Sequence, residues 1–409
     1  MPVVEWRLRR SRSTKKRPGG SRGALIESTF AGSRVNTRRR RKIVRMSDTL
    51  SLRALNRAML ARQLLLEPSS VSPRVALERV AGLQAQWPKL PFMGLWTRLA
   101  NFKREDLADA LRRRQAVRAT MMRGTIHVVS AKDYIAMRGP IQAVLTRGVS
   151  PVKEHVARLD TAAVLAAARK LFAAPHTFDE VRDALVEQFP KDNDRALGHL
   201  ARMMLPLIMV PTDDPWPFPS VAEFQLAESW LGKSIPEATD PAALVLRYFG
   251  AFGPASVADA QSWSGLQGLR AVVEKLRPKL RVFRDARGRE VFDLPDAPRP
   301  DEDTPAPMRF LPEFDNVLMG YQDRARVMVD AHKPNVFLPG LRVASTVIVD
   351  GFVVGTWRID RTKKQSTIGV QLLEKLPKKT VGEIESEAER VVKFMDPEAA
   401  THDVRSLKK

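Results

Sequence analysis

From Leu52 onward one layout is written three times, short helices followed by a β-hairpin, and this most narrows what the chain can fold into. The third copy, Asp240–Leu294, is the clearest. Apolar spacing predicts a helix over Pro241–Phe252, which Gly253-Pro254 breaks. Ser256 with Asp259 three residues later is a capped start for a second helix, to about Trp263. Gly265 and Gly268 interrupt again, and a third helix covers Leu269–Leu276. Leu280–Phe283 then alternates as a strand, Asp285–Gly288 turns, and Glu290–Leu294 returns. Three helices and a hairpin make the layout of a winged helix, a relative of the helix-turn-helix.

The second copy spans about Asp160–Glu228. Helices are predicted over Ala162–Ala173, from the Thr177/Glu180 capping box to Phe189, and over Asp194–Leu205. Leu207–Val210 reads as a strand, and Pro211, Pro215, Pro217 and Pro219, interleaved with Trp216 and Phe218, mark an irregular wing. The first copy has helices over Leu52–Leu66, Ser72–Leu83 with Pro73 in the first turn, and Arg104–Arg114. Its wing is Ala116–Met121 and Thr125–Val129, flanking Arg123-Gly124. After an acidic, Pro-rich linker the chain turns to β: Met308–Leu311, Ala344–Val349, Phe352–Trp357 and Ser366–Val370, with Asp350-Gly351 as a hairpin turn. A closing helix over Val381–Met395 starts at a Thr380/Glu383 capping box.

The expected fold class is therefore mostly α with β (α+β), with tandem winged-helix units and a C-terminal β-rich region. The expected boundaries are 50–135, 160–235 and 240–294 for the three units, 295–307 for the linker, 308–396 for the C-terminal region and 397–409 for a tail. A helical adaptor of stacked three-helix units fits much of the same pattern. The hairpin after each third helix favours winged helices.

The chain has 409 residues, enough for several domains with sizeable cores, and 44% hydrophobic content, as in soluble globular proteins. No apolar run reaches the length of a membrane span, and the basic N-terminus lacks the apolar stretch of a secretory signal. Absence of cysteine excludes disulfides, thiolate nucleophiles, iron–sulfur clusters and cysteine-ligated zinc. No two of the six histidines are spaced as a helical metal pair, so neither metal nor cofactor is expected. The formal net charge is +22, and residues 1–46 hold 15 Lys/Arg against two Glu. That low-complexity arm has no hydrophobic period; it reads as a disordered phosphate-binding arm, or as a stretch preceding a true start at Met46. The smaller excess in the remainder fits a polyanion-binding protein without demanding one.

Gln84-Ala85-Gln86-Trp87-Pro88 carries the chemistry. Residues two apart diverge on a helix but share a face in extended chain. Pro88 disfavours helical geometry at Trp87, so Gln84 and Gln86 can aim at one target. A carboxamide orients water but is too weak a base to force a reaction. The pair suits a substrate whose leaving group is already activated; turn glutamines bonded to backbone are the plain alternative.

In order across Leu52–Met395, several runs resemble the AlkZ-like winged-helix proteins. They are Gly82-Leu83-Gln84-Ala85-Gln86, Arg123-Gly124-Thr125-Ile126-His127, Gly253-Pro254-Ala255-Ser256-Val257 with Trp263-Ser264-Gly265, Leu311-Pro312-Glu313-Phe314-Asp315-Asn316, Asp323-Arg324-Ala325-Arg326, and Val349-Asp350-Gly351 with Gly355-Thr356-Trp357. The resemblance implies a C-shaped scaffold with a basic concave face and DNA glycosylase activity on bulky or crosslinking N-alkylpurine adducts. It implies a catalytic motif of glutamine, an aliphatic residue, then glutamine or aspartate. Gln84-Ala85-Gln86 matches it, with Ala85 smaller than the usual middle residue. Gln86 would then orient the water and Gln84 would fix Gln86 or the lesion nucleotide. Double-stranded DNA is the implied partner, with a monomer in the cytoplasm, associated with the nucleoid.

Candidate DNA contacts are Arg123 and His127 in the first wing and Arg270, Lys275, Arg277, Lys279, Arg284, Arg287 and Arg289 on the third unit's last helix and hairpin. For His127 the plain reading is a histidine closing the hairpin by a hydrogen bond. For the third-unit cluster it is a solvated basic face. Asp323, Arg324 and Arg326 read as a structural ion-pair set, Trp87, Trp96, Trp216 and Trp263 as packing, and Asp315 as an alternative catalytic carboxylate. The competing functions are a non-enzymatic winged-helix DNA-binding protein or regulator and a helical interaction scaffold.

Overall fold

A computed structural model describes residues 49–406, so the basic arm of residues 1–46 lies outside the described residues. The first unit opens with strand β1 (Thr49–Leu50) and helix α1 (Leu52–Arg62), capped by Ser51, whose hydroxyl accepts from the Ala54 N–H. The helix stops short of Leu66 because Leu64 takes the left-handed conformation, φ 56°. Helix α2 (Pro73–Val80) also ends early: Ala81 and Gly82 are both left-handed, and a Cβ on Gly82 would lie 2.5 Å from Val129 Cγ1. The released chain becomes strand β2 (Leu83–Gln84). Helix α3 (Leu90–Trp96) was hidden by Pro88 and Pro91, which read as breakers. Pro91 sits in its first turn, where a missing N–H costs nothing. Helix α4 (Arg104–Arg112) and strands β3 (Ala116–Thr120) and β4 (Ile126–Ser130) follow as expected.

Helix α5 (Ala131–Arg147) fills the gap left between the first two units. Pro140 inside it disguises the helix in sequence, yet Tyr134, Met137, Ile141 and Leu145 are buried in the main core. After the short α6 (Lys153–Val156), the second unit has α7 (Thr161–Leu171), β5 (His176–Thr177), α8 (Phe178–Gln188), α9 (Asp194–Met204), β6 (Leu207–Met209), β7 (Glu223–Leu226) and α10 (Ala227–Leu231). Asp160, Thr177 and Asn193 cap α7, α8 and α9. The proline-marked wing folds back: Trp216 meets Phe92 edge-on at 5.1 Å and Phe218 is buried. The two units share one antiparallel sheet, ordered β2-β4-β3-β6-β7-β5 and joined where Arg118 faces Met209.

The third unit comprises α11 (Ala242–Phe252), α12 (Val257–Ser264), α13 (Leu269–Leu276), β8 (Arg281–Asp285) and β9 (Glu290–Asp293), with β1 parallel to β8. The stretch 295–307 is irregular but pinned, since Arg62 donates to the Pro298 carbonyl at 3.1 Å and Arg57 to the Thr304 carbonyl at 2.6 Å. Beyond it come β10 (Arg309–Leu311), α14 (Asn316–Met319), α15 (Lys333–Val336), β11 (Phe337–Leu338), β12 (Arg342–Val343), β13 (Ser345–Val349), β14 (Phe352–Arg361), β15 (Gln365–Leu372), α16 (Lys378–Met395) and β16 (Thr401–Ser406). Helix α16 starts directly after Pro377, so Thr380 and Glu383 lie inside it and form no capping box. Residues 401–406 do not trail off as a tail: β16 pairs parallel with β15 and closes a sheet ordered β10-β13-β14-β15-β16.

One apolar cluster runs from α1 and α5 through α11–α13 to β13, tying the three units and the C-terminal region to a common core. No helix among the described residues is long and apolar enough to cross a membrane. The Asp350-Gly351 turn is packed against α1. Arg53 and Arg57 both pair with Asp350, and a Cβ on Gly351 would strike the Asn56 side chain.

Candidate active site

Leu83 and Ala85 are both buried in one apolar cluster with Leu77, Phe92 and Leu107. Strand β2 ends at Gln84, and Gln86 follows in a bend of the chain, exposed where Gln84 is buried. The Ala85 N–H donates to the Ile126 carbonyl at 2.7 Å, extending the β2–β4 pairing. The Ala85 carbonyl accepts from Arg118 Nη2 at 2.9 Å and Nε at 3.2 Å. The segment is thus held by its middle residue. Ala85 is fully buried, so a bulkier side chain there would require its neighbours to move.

Gln84 is 6% exposed and stands opposite His127 in the β2–β4 ladder. Arg123 lies in the turn between β3 and β4 with φ 58°, and its Nη2 donates to Gln84 Oε1 at 2.7 Å. Its Nη1 donates to the Trp263 carbonyl at 2.6 Å, so the third unit helps hold it. The fit is close, because a Cβ on Gly265 would lie 3.1 Å from Arg123 Cα. Both terminal nitrogens of Arg123 are committed inward, and the structure makes it the support of Gln84. His127 Nδ1 donates to the Thr125 carbonyl at 3.0 Å, leaving Nε2 to face Arg123 at 3.4 Å. Burial, then Arg123, pushes its pKa down to about 3, so it is neutral and closes the hairpin from within.

Arg118 and Arg123 have no carboxylate partner among the described residues. Burial lowers both pKa values to about 10, with Arg324 adding to the effect on Arg123. The Gln84 side-chain oxygen is thus fixed by a charged donor. Gln86, exposed beside it, forms no hydrogen bond with a described residue. A fixed carboxamide next to a free one can hold a water molecule and a polar substrate edge. Neither can take up a proton.

Trp87, expected to pack, is 58% exposed, while Trp96 stacks on Phe394 and Trp263 is buried. Its indole N–H donates to Glu313 Oε2 at 3.0 Å. Burial raises the Glu313 pKa against the opposing pulls of the Trp87 hydrogen bond and of Arg342. Glu313 lies in one of the runs that carry the family resemblance but is not among the site residues expected from sequence, and Arg118 and Arg342 lie in no such run.

In the third unit, Arg270, Lys275, Lys279 and Arg284 are exposed and form no ion pair with a described residue, although Arg284 donates to the Gly288 carbonyl. Arg277 instead pairs with Glu274 at 2.7 Å and Glu290 at 3.1 Å. Arg287 and Arg289 converge on Asp323 at 3.0 and 2.8 Å, and Arg289 also meets Asp285 at 2.7 Å. Asp323 is thus a structural acceptor, but for Arg287 and Arg289 and not for Arg324 and Arg326, the partners expected from sequence. Arg324 bonds the Leu318 carbonyl over the Phe337 ring, and Arg326 bonds the Pro254 carbonyl over Tyr321. Asp315 is not a free acid or base: both oxygens accept from buried Arg98 at 2.9 Å, and one also caps Val317 N–H. Among the described residues no group of three or more acidic or histidine side chains could hold a metal ion.

A comparison with curated proteins finds no match. Among solved structures, the Streptomyces sahachiroi DNA glycosylase AlkZ is similar, with a TM-score of 0.69 and 22% identity, covering 88% of this chain and 100% of that one. At that identity the likeness establishes a shared fold. The family described as DNA glycosylase AlkZ-like matches residues 77–394, which include the glutamine pair, the Arg123 turn, the basic cluster and the Glu313 segment. With well over half of its length matched, the chain belongs to the AlkZ-like family of DNA glycosylases.

Proposed function

We propose that the chain is a monofunctional DNA glycosylase that excises bulky or crosslinking N-alkylpurine adducts from duplex DNA, acting as a monomer without metal or cofactor. In this reading the three helix-and-hairpin units are winged helices arranged as a C around the duplex. The observation that carries the proposal is Gln84, locked by Arg123, two residues from an exposed and uncommitted Gln86.

A purine alkylated at N7 or N3 is cationic, so its glycosidic bond is weak. As the C1′–N9 bond breaks, the electron pair moves to the purine and discharges it. The sugar becomes an oxocarbenium ion, to which water adds at C1′, losing a proton to solvent. The products are a free neutral base and an abasic sugar. Gln86 orients the water and Gln84 fixes the lesion nucleotide, and the leaving group needs no strong acid. An exposed Gln86 suits a bulky lesion left in or near the duplex, where most glycosylases require a flipped base in a pocket.

The test is release of N7-alkylguanine from a duplex by wild-type protein and by the Gln84→Ala/Gln86→Ala double variant. A loss of about 100-fold or more is expected, the scale of a positioned water. Equal rates would overturn the mechanism. Duplex binding with no release by the wild type would instead mark a non-enzymatic DNA-binding member of the family.

A further inference from the structure

We propose that Trp87 and Glu313 form a wall that recognises the positive charge of the damaged nucleotide. The inference rests on the glycosylase reading and names the feature of the substrate those two residues select. Among the described residues Trp87 is the tryptophan left exposed, and it directly follows Gln86 in the chain. An exposed indole offers a π face, which attracts cations and stacks on purines. The Glu313 carboxylate, held at 3.0 Å by the indole N–H, supplies the opposite charge through its second oxygen.

Glu313 is placed between two anchors. On one side, the carbonyl of Leu311 at the end of β10 accepts from Trp357 Nε1 at 3.0 Å. On the other, Asp315 is clamped in two places by Arg98. Between them Phe314 takes the left-handed conformation, φ 58°, a local strain that only a well-determined surround maintains. A carboxylate fixed in this way, half out of water, stabilises a cation without first reorienting. Gln84, Gln86 and the two arginines that hold the motif, Arg118 and Arg123, carry no negative charge, and Glu313, tied to the motif through Trp87, supplies one. During cleavage the charge moves from purine to sugar, and the same carboxylate serves both positions.

The test compares two duplexes that cannot react. One carries a pyrrolidine abasic nucleotide, protonated at neutral pH, and the other the neutral tetrahydrofuran nucleotide. Full-length wild-type protein is expected to bind the cationic duplex about tenfold more tightly. Glu313→Gln keeps an oxygen to accept from the indole but loses the charge, and is expected to bring the ratio near one. Trp87→Phe keeps a π face and is expected to retain most of the preference, whereas Trp87→Ala loses it. A preference that survives Glu313→Gln, or no preference in the wild type, overturns the inference. Release of N7-methylguanine is followed in parallel. If release persists while the ratio is flat, only the charge wall is wrong; if the wild type releases nothing, the glycosylase reading falls and takes this inference with it.

Discussion

At the scale of single residues, His127 shows how the site is built from neutrality. Its imidazole is buried, bonded through Nδ1 and faced by a guanidinium, so the folded state resists its protonation. In the unfolded chain it titrates near 6.5, and in the fold near 3. The folded-state pKa is the depressed one. The stability it contributes is therefore complete above pH 6.5 and is lost as pH falls through that window toward 3. His127→Gln should flatten the acid limb of the urea midpoint against pH. An unchanged limb, with the wild type losing no stability between pH 6 and 4, would show that the imidazole is not held neutral. A shift of this size corresponds to about 5 kcal/mol as an upper bound.

At the scale of elements, α13 and the β8–β9 hairpin hold two kinds of cation. Lys275 is exposed and unpaired among the described residues, whereas Arg277 is engaged by two glutamates. Lys275→Ala should lower the slope of log affinity against log salt for duplex DNA by about one, and Arg277→Ala by much less. Equal effects would mean that the glutamates release Arg277 when DNA binds. Much of this organisation was legible in the sequence. The capping boxes at Thr177/Glu180 and Ser256/Asp259 are both formed, because a cap is a local bargain between residues three apart. Helices α3 and α5 escaped notice because prolines that usually end helices lie within or beside them, tolerated by the packing around them. Strand β16 escaped because Thr401–Ser406 is polar, and its strand state comes from pairing with β15. The glutamine pair could be read from spacing. Its supports could not: Arg123 lies 39 residues from Gln84 and Glu313 lies 226 residues from Trp87. Only the folded chain brings them together.

At the scale of the whole molecule, buried charge ties the first unit to distant parts of the chain. Arg98 of the first unit and Asp315 of the C-terminal region form a fully buried pair. Arg62 and Asp293 make a second such link, to the hairpin of the third unit. Removing one partner from a buried pair costs about 3–5 kcal/mol, because the other charge is left without compensation. Asp315→Asn should therefore lower the unfolding free energy read from urea denaturation by an amount on that order. Base release by the folded fraction should persist, since the carboxylate is wholly occupied in structure. A variant of normal stability that no longer released base would return Asp315 to the list of catalytic groups.

The shared sheet of the first two units has an engineering consequence. Strand β3 pairs with β6, so neither unit ends at its own hairpin. A chimera cut between them would leave both partners with an open strand edge, the usual invitation to aggregation. Grafting a relative's lesion preference onto this scaffold should exchange the two units as one cassette, with α5 included and the seam placed in the exposed stretch before α11.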